Sequence, residues 1–180
     1  MYDEDIKIAG NKPSISVKEN AMASKTDAIL NEAEILKAES FGKRIAEEFC
    51  VASTAHSDAV EEQDENMLIQ RHLLLSFTVT IGIETFLKSE AAQGVAQKSF
   101  LDNVKEKAPE LYKYTSDTGA FSFYYLAYRR GGEVDRRIGQ TFAMLCAHDG
   151  DSIYQELGEA LYCWFTSVVK KEIKNAQLMK

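Results

Sequence analysis

Residues 68–87 read LIQRHLLLSFTVTIGIETFL, and the way this stretch folds decides the architecture. On a helical wheel Leu73, Leu74, Leu75, Phe77, Val79, Ile81, Ile83, Phe86 and Leu87 leave no wide polar face. A helix that is apolar all round is buried all round. The run is too interrupted to cross a bilayer, because His72, Thr78, Thr80 and Glu84 break it. Phe77, Val79, Ile81 and Ile83 also alternate as a strand would. A strand needs partners, however, and only a weak hairpin signal near the N-terminus could supply them. The stretch therefore predicts a buried central helix over 67–90.

The flanking sequence supplies helices to surround it. A helix start at Thr26 or Asp27 leads into a stripe of Ile29, Ala33, Leu36, Phe41, Ile45 and Phe49. Acids crowd 57–66, where Ser57 or Asp58 would cap the central helix. Ser99 with Asp102 resembles a capping pair for a short helix, and Pro109 kinks that helix or opens a new turn. Phe121, Tyr124, Tyr125 and Tyr128 share one face of a helix from about 120 to 130, which Gly131 and Gly132 stop. Val134, Ile138, Phe142 and Leu145 stripe the next helix. Ser152 with Gln155 opens the last one. There Ile153, Leu157, Ala160, Leu161, Trp164 and Val168 make one stripe, which Tyr154, Tyr162, Phe165 and Val169 widen to about half the circumference. So wide an arc touches two neighbours, or one neighbour and a second subunit.

The prediction is an all-α, single-domain bundle of about six helices over 25–180. Residues 1–24 form a leader: a tail that packs opportunistically, with a short β-hairpin around Gly10–Pro13 as the alternative reading. The chain has 180 residues, 45% of them hydrophobic, with only two prolines and ten glycines. That fits one helix-rich globular domain with a core large enough to need no disulfides. The net charge is −7, and residues 1–66 carry it with 15 acids against 7 bases. This balance argues against nucleic acid as a partner. The acidic start and the unpaired cysteine spacing suggest a cytoplasmic protein with reduced, mostly buried thiols at Cys50, Cys146 and Cys163.

Four of the six arginines, Arg129, Arg130, Arg136 and Arg137, fall within nine positions around the glycine pair. Cations suit a helix C-terminus, which explains the first two. The second two sit at a helix N-terminus, where guanidinium forks beside free N–H groups suit an anion. Surface or inter-helix ion pairs are the preferred reading, and an anion site the functional alternative. Glu84 shares a wheel direction with Leu73, Phe77 and Thr80, so it is expected as a buried carboxylate paired with one of these arginines. Phe123 points away from the aromatic face of its helix, which makes it a candidate interface residue together with Tyr162 and Phe165.

Catalytic and metal signatures are not found. No Glu precedes a His by three residues, and no His-Glu-x-x-His or Gly-x-Ser-x-Gly occurs. Glu61, Glu62 and Glu65 match half of the magnesium motif of all-helical nucleotide pyrophosphohydrolases. The other half is missing downstream, so that resemblance is rejected. No metal, cofactor or membrane is expected. The expected function is a non-enzymatic helical protein working through self-association, as a homodimer, or through other protein contacts. The alternative is a binder, or an enzyme, for a small phosphorylated or carboxylated ligand held by the arginine cluster.

Overall fold

The computed structural model describes residues 32–54, 65–115 and 118–180. The leader 1–24 with its hairpin alternative, the helix start at Thr26 or Asp27, and the Ser57 or Asp58 cap lie outside the described residues. Within them the fold is all-α. The helices are α1 (Glu32–Thr54), α2 (Glu65–Phe86), α3 (Glu90–Lys107), the single turn α4 (Pro109–Tyr112), α5 (Thr118–Arg129), α6 (Val134–Leu145) and α7 (Ser152–Asn175). A 3-10 turn, Lys113–Thr115, follows α4. The main pairings are α1 along α3, α6 along α7, and α2 along α7.

The all-round apolar character of α2 has a simple cause. It is the wall between two hydrophobic clusters. Leu75, Val79 and Ile83 face Phe41, Ile45 and Phe49 of α1, Phe100 and Val104 of α3, and Phe165, Val169 and Ile173 of α7. Leu74, Phe77 and Ile81 face Tyr124 of α5, Ile138 and Phe142 of α6, and Tyr162 of α7. Each large apolar side chain buried on either side stabilises the fold by about 1.5–3 kcal/mol. Phe77 is the aromatic centre of the second cluster: it stacks on Tyr124 at 5.3 Å and meets Phe121 and Tyr125 edge-on. On α1 the expected stripe holds at Phe41, Ile45 and Phe49, but Ala33 and Leu36 are exposed.

The central helix stops earlier than its sequence suggests, at Phe86 and not at 90. Leu87 leaves the helix to form an antiparallel bridge with Met179. The Lys88 amide donates to the Leu178 carbonyl at 3.3 Å, and the Lys180 amide to the Phe86 carbonyl at 2.9 Å. These bonds hold the C-terminal residues across the α2–α3 junction. Ser89 then caps α3, its Oγ accepting from the Ala92 amide at 3.2 Å. So α3 is one continuous helix, and the short helix expected at Ser99 does not exist. Ser99 lies mid-helix and donates to the Glu39 carbonyl of α1 at 2.8 Å. Pro109 opens α4 from its first turn. The cap of α7 is Asp151, one residue before the expected Ser152; its Oδ1 accepts from the Ile153 amide at 2.8 Å.

α1 carries no basic residue in its last turn, and α2 supplies the missing donors. The buried Arg71 donates from Nη2 to the Ala52 carbonyl at 2.8 Å. His72 Nε2 lies 3.3 Å from the Ser53 carbonyl. A carbonyl only accepts, so that nitrogen carries the proton. Both groups satisfy carbonyls that a helix end leaves open, and the cation complements the dipole.

Glycine sets the helix spacing at the main crossings. A Cβ at Gly42 of α1 would fall 2.5 Å from the Ala96 carbonyl oxygen of α3. At Gly158 of α7 it would fall 2.5 Å from Phe142 Cβ of α6, and at Gly82 of α2 it would strike Val169 of α7. These contacts bring helix axes closer than any side chain allows.

Candidate functional site

Glu84 is not a buried ion. It is exposed in the last turn of α2, beyond the length of that helix which Phe77 packs against α5. No arginine pairs with it among the described residues. Instead the Tyr125 hydroxyl of α5 donates to Glu84 Oε1 at 2.8 Å, and the Arg129 guanidinium lies over the Tyr125 ring at 5.9 Å. Tyr125 thus stands between the two charges the sequence expected in direct contact. Burial, and then the bond to Glu84, push the Tyr125 hydroxyl far above its usual range. It stays a donor throughout the neutral range. Glu84, Ser122, Tyr125, Leu126 and Arg129 line a groove of 460 Å³.

The four arginines do not share one cleft. Arg129 belongs to that groove. Arg136 is exposed and pairs with Glu133 at 3.3 Å, one turn back. Arg130 and Arg137 line a different groove, of 380 Å³, between α5 and α6. The α6 N-terminus is also partly filled by carboxylates of its own segment. Asp135 Oδ1 accepts from the Arg136 amide at 3.0 Å, and the Glu133 carboxylate stays beside the same turn through Arg136. An anion there meets two resident negative charges and one amide already bonded.

The interface candidates divide by burial. Phe123 is exposed and lines the α5–α6 groove with Leu126 and Met144. Tyr162 and Phe165 are buried inside the chain and cannot meet a second copy. They belong to the inward face of α7 with Gly158, Val169 and Ile173. Burial pushes the Tyr162 hydroxyl up to about 12. The residues that do face outward are Ile153 (73% exposed), Leu157, Ala160 and Trp164 (48% exposed). They recur at i, i+4, i+7 and i+11, on the side of α7 roughly opposite its buried residues. α7 therefore carries two apolar stripes, and of the one that looks cleaner in sequence Ile153, Leu157, Ala160 and Trp164 are turned to solvent, while Leu161 and Val168 pack against the two clusters.

Cys146 is buried and Cys50 half-buried, but Cys163 is exposed, against the expectation of mostly buried thiols; none of the three is in a disulfide. Burial raises the Cys50 and Cys163 thiols above their usual range, which makes them poorer nucleophiles at neutral pH. His148 stacks on Tyr154 at 3.8 Å. Among the described residues no three His, Cys, Asp or Glu side chains are grouped to hold a metal ion. No helix among them is long and apolar enough to cross a membrane. No protein family, no curated protein and no solved structure matches the chain.

Proposed function

We propose that this protein works through protein contacts, as a self-associating helical module whose contact face is the outward stripe of α7. The observation that carries the reading is the exposure of Ile153, Leu157 and Trp164 on one face of a long helix. Large apolar side chains aligned in this way mark interaction surfaces when a helix has no neighbour on that side.

The spacing favours a second copy as occupant. Positions 153, 157, 160 and 164 are separated by four, three and four residues, so the stripe reads alike in both directions. Two antiparallel copies related by a two-fold axis would set Ile153 of one against Trp164 of the other, and Leu157 against Ala160. A two-fold interface requires this self-complementarity. The small Ala160 lets the helices approach near the axis. Cysteines that form no disulfide suit a reducing cytoplasm as the compartment. The alternative, an anion site made from all four arginines, has less support, because Arg136 is held by Glu133 and Arg129 faces a different groove.

Sedimentation equilibrium across the micromolar range tests the reading. A dimer is expected, with Trp164→Glu and Ile153→Glu each raising its dissociation constant at least thirtyfold, as loss of an interface anchor worth about 2 kcal/mol implies. A monomer at high micromolar concentration, or a dimer that both variants leave intact, refutes it.

A further inference from the structure

We propose that the groove between α5 and α6 is a docking site for an acidic amphipathic helix of another protein. Part of its lining is apolar and open: Phe123 and Leu126 from α5 and Met144 from α6 are exposed, beside the polar Gln140 and Thr141 of α6. Arg130 and Arg137 line it too. Neither forms an ion pair among the described residues, whereas Arg136 pairs with Glu133 and Arg129 rests on the Tyr125 ring. Among the described residues that line the groove the one acid is Asp149, which leaves one positive charge in excess. Exposed apolar side chains beside a surplus of positive charge call for the complementary surface: apolar anchors flanked by carboxylates.

The shape selects a helix. Phe123 on α5 and Arg130 just past its end are two turns apart, about 10 Å along the axis. Arg137 and Met144 span the same length on α6. The two helices are joined by Gly131 and Gly132, both left-handed, and the Arg137 guanidinium lies over Gly132. A furrow between two helices accepts a third through anchors at i, i+3 or i+4, and i+7. Met144 lends the floor a side chain that adapts to different anchors. A nucleic acid fits less well, because a run of phosphates would meet only two guanidinium groups beside exposed Phe123, Leu126 and Met144.

The test is selection of phage-displayed random 14-residue peptides on the full chain, followed by fluorescence anisotropy of the enriched sequences. The enriched peptides are expected to carry apolar residues at helical spacing with Asp or Glu beside them. Their affinity should fall at least tenfold in Arg130→Glu/Arg137→Glu and in Leu126→Ser, with circular dichroism confirming that both variants fold. Replacing the peptide acids by lysine should restore binding to the double Glu variant. No enrichment, enrichment without acidic bias, or affinities that the double variant leaves unchanged would overturn the proposal. So would loss of the chain's own dimer in the double variant, which would assign the groove to a second copy. A monomeric wild type that still selects acidic helices would refute the α7 reading and leave this one standing.

Discussion

Trp164 and Phe165 are neighbours in sequence on opposite sides of the solvent boundary, and truncating each to alanine tests the orientation of α7. Phe165 is 0% exposed and sits in the cluster that joins α1, α2, α3 and α7. Phe165→Ala removes its burial and leaves a cavity in a close-packed site, at a cost of about 3–5 kcal/mol. In a chain of this size that lowers the melting temperature by about 6–20 °C. Trp164 keeps 48% of its surface in water and touches the Phe165 ring at 5.4 Å between centroids. Within one copy, Trp164→Ala gives up only part of an aromatic contact, and alanine's better helix propensity offsets a few tenths of a kcal/mol. The net cost should be about 1 kcal/mol or less. The assay is urea unfolding by far-UV circular dichroism at submicromolar concentration, where dimer contacts do not contribute. The slopes must match the wild type for the midpoints to be compared. If Trp164→Ala costs as much as Phe165→Ala, α7 is rotated about its axis and the outward stripe belongs to the core.

Gly42→Ala gives a sign test of the α1–α3 crossing. Helix propensity alone favours the alanine by about 1 kcal/mol, but its Cβ would meet backbone of α3, so a net loss of about 1–3 kcal/mol is expected in thermal unfolding. His72 predicts an acid limb in the stability profile. Burial lowers its pKa in the folded chain, so the unfolded chain binds more protons once the pH falls below the unfolded value of about 6.5. Its contribution is complete above that value and is lost as the pH falls, by at most about 1.4 kcal/mol per pH unit for one proton. Denaturation midpoints of wild type and His72→Gln should keep a constant separation above a pH of about 6.5, and the wild type should lose stability relative to the variant as the pH falls below it; profiles parallel throughout would show that His72 does not titrate this way.

The central helix could be read from sequence because its residues leave no polar face in any orientation. α7 could not be oriented by the same reasoning. Both of its stripes are apolar, and what turns one inward is steric: Phe142 fits against Gly158, and Val169 against Gly82. Those pairs are far apart in sequence and carry no periodic signal. Glu84 misled for a related reason. Its wheel direction is that of Phe77, but it lies about two turns further along the helix, where cover ends and the Tyr125 hydroxyl meets its carboxylate. The arginines were visible as a cluster along the chain, while their division between two grooves depends on where α5 and α6 turn them. Capping of α1 by Arg71 and His72 of α2 left one trace in sequence, the lack of a base in the last turn of α1.

Because α2 belongs to both clusters, neither half of the molecule can melt without stripping one side of the helix the other half needs. Damage near α6 is therefore felt near α1, although the two helices contribute to different clusters. Amides along the middle of α2 should exchange with deuterium only through opening of the whole molecule. By the same linkage, an occupant seated on α5 and α6 would slow exchange throughout the chain, including helices it never touches.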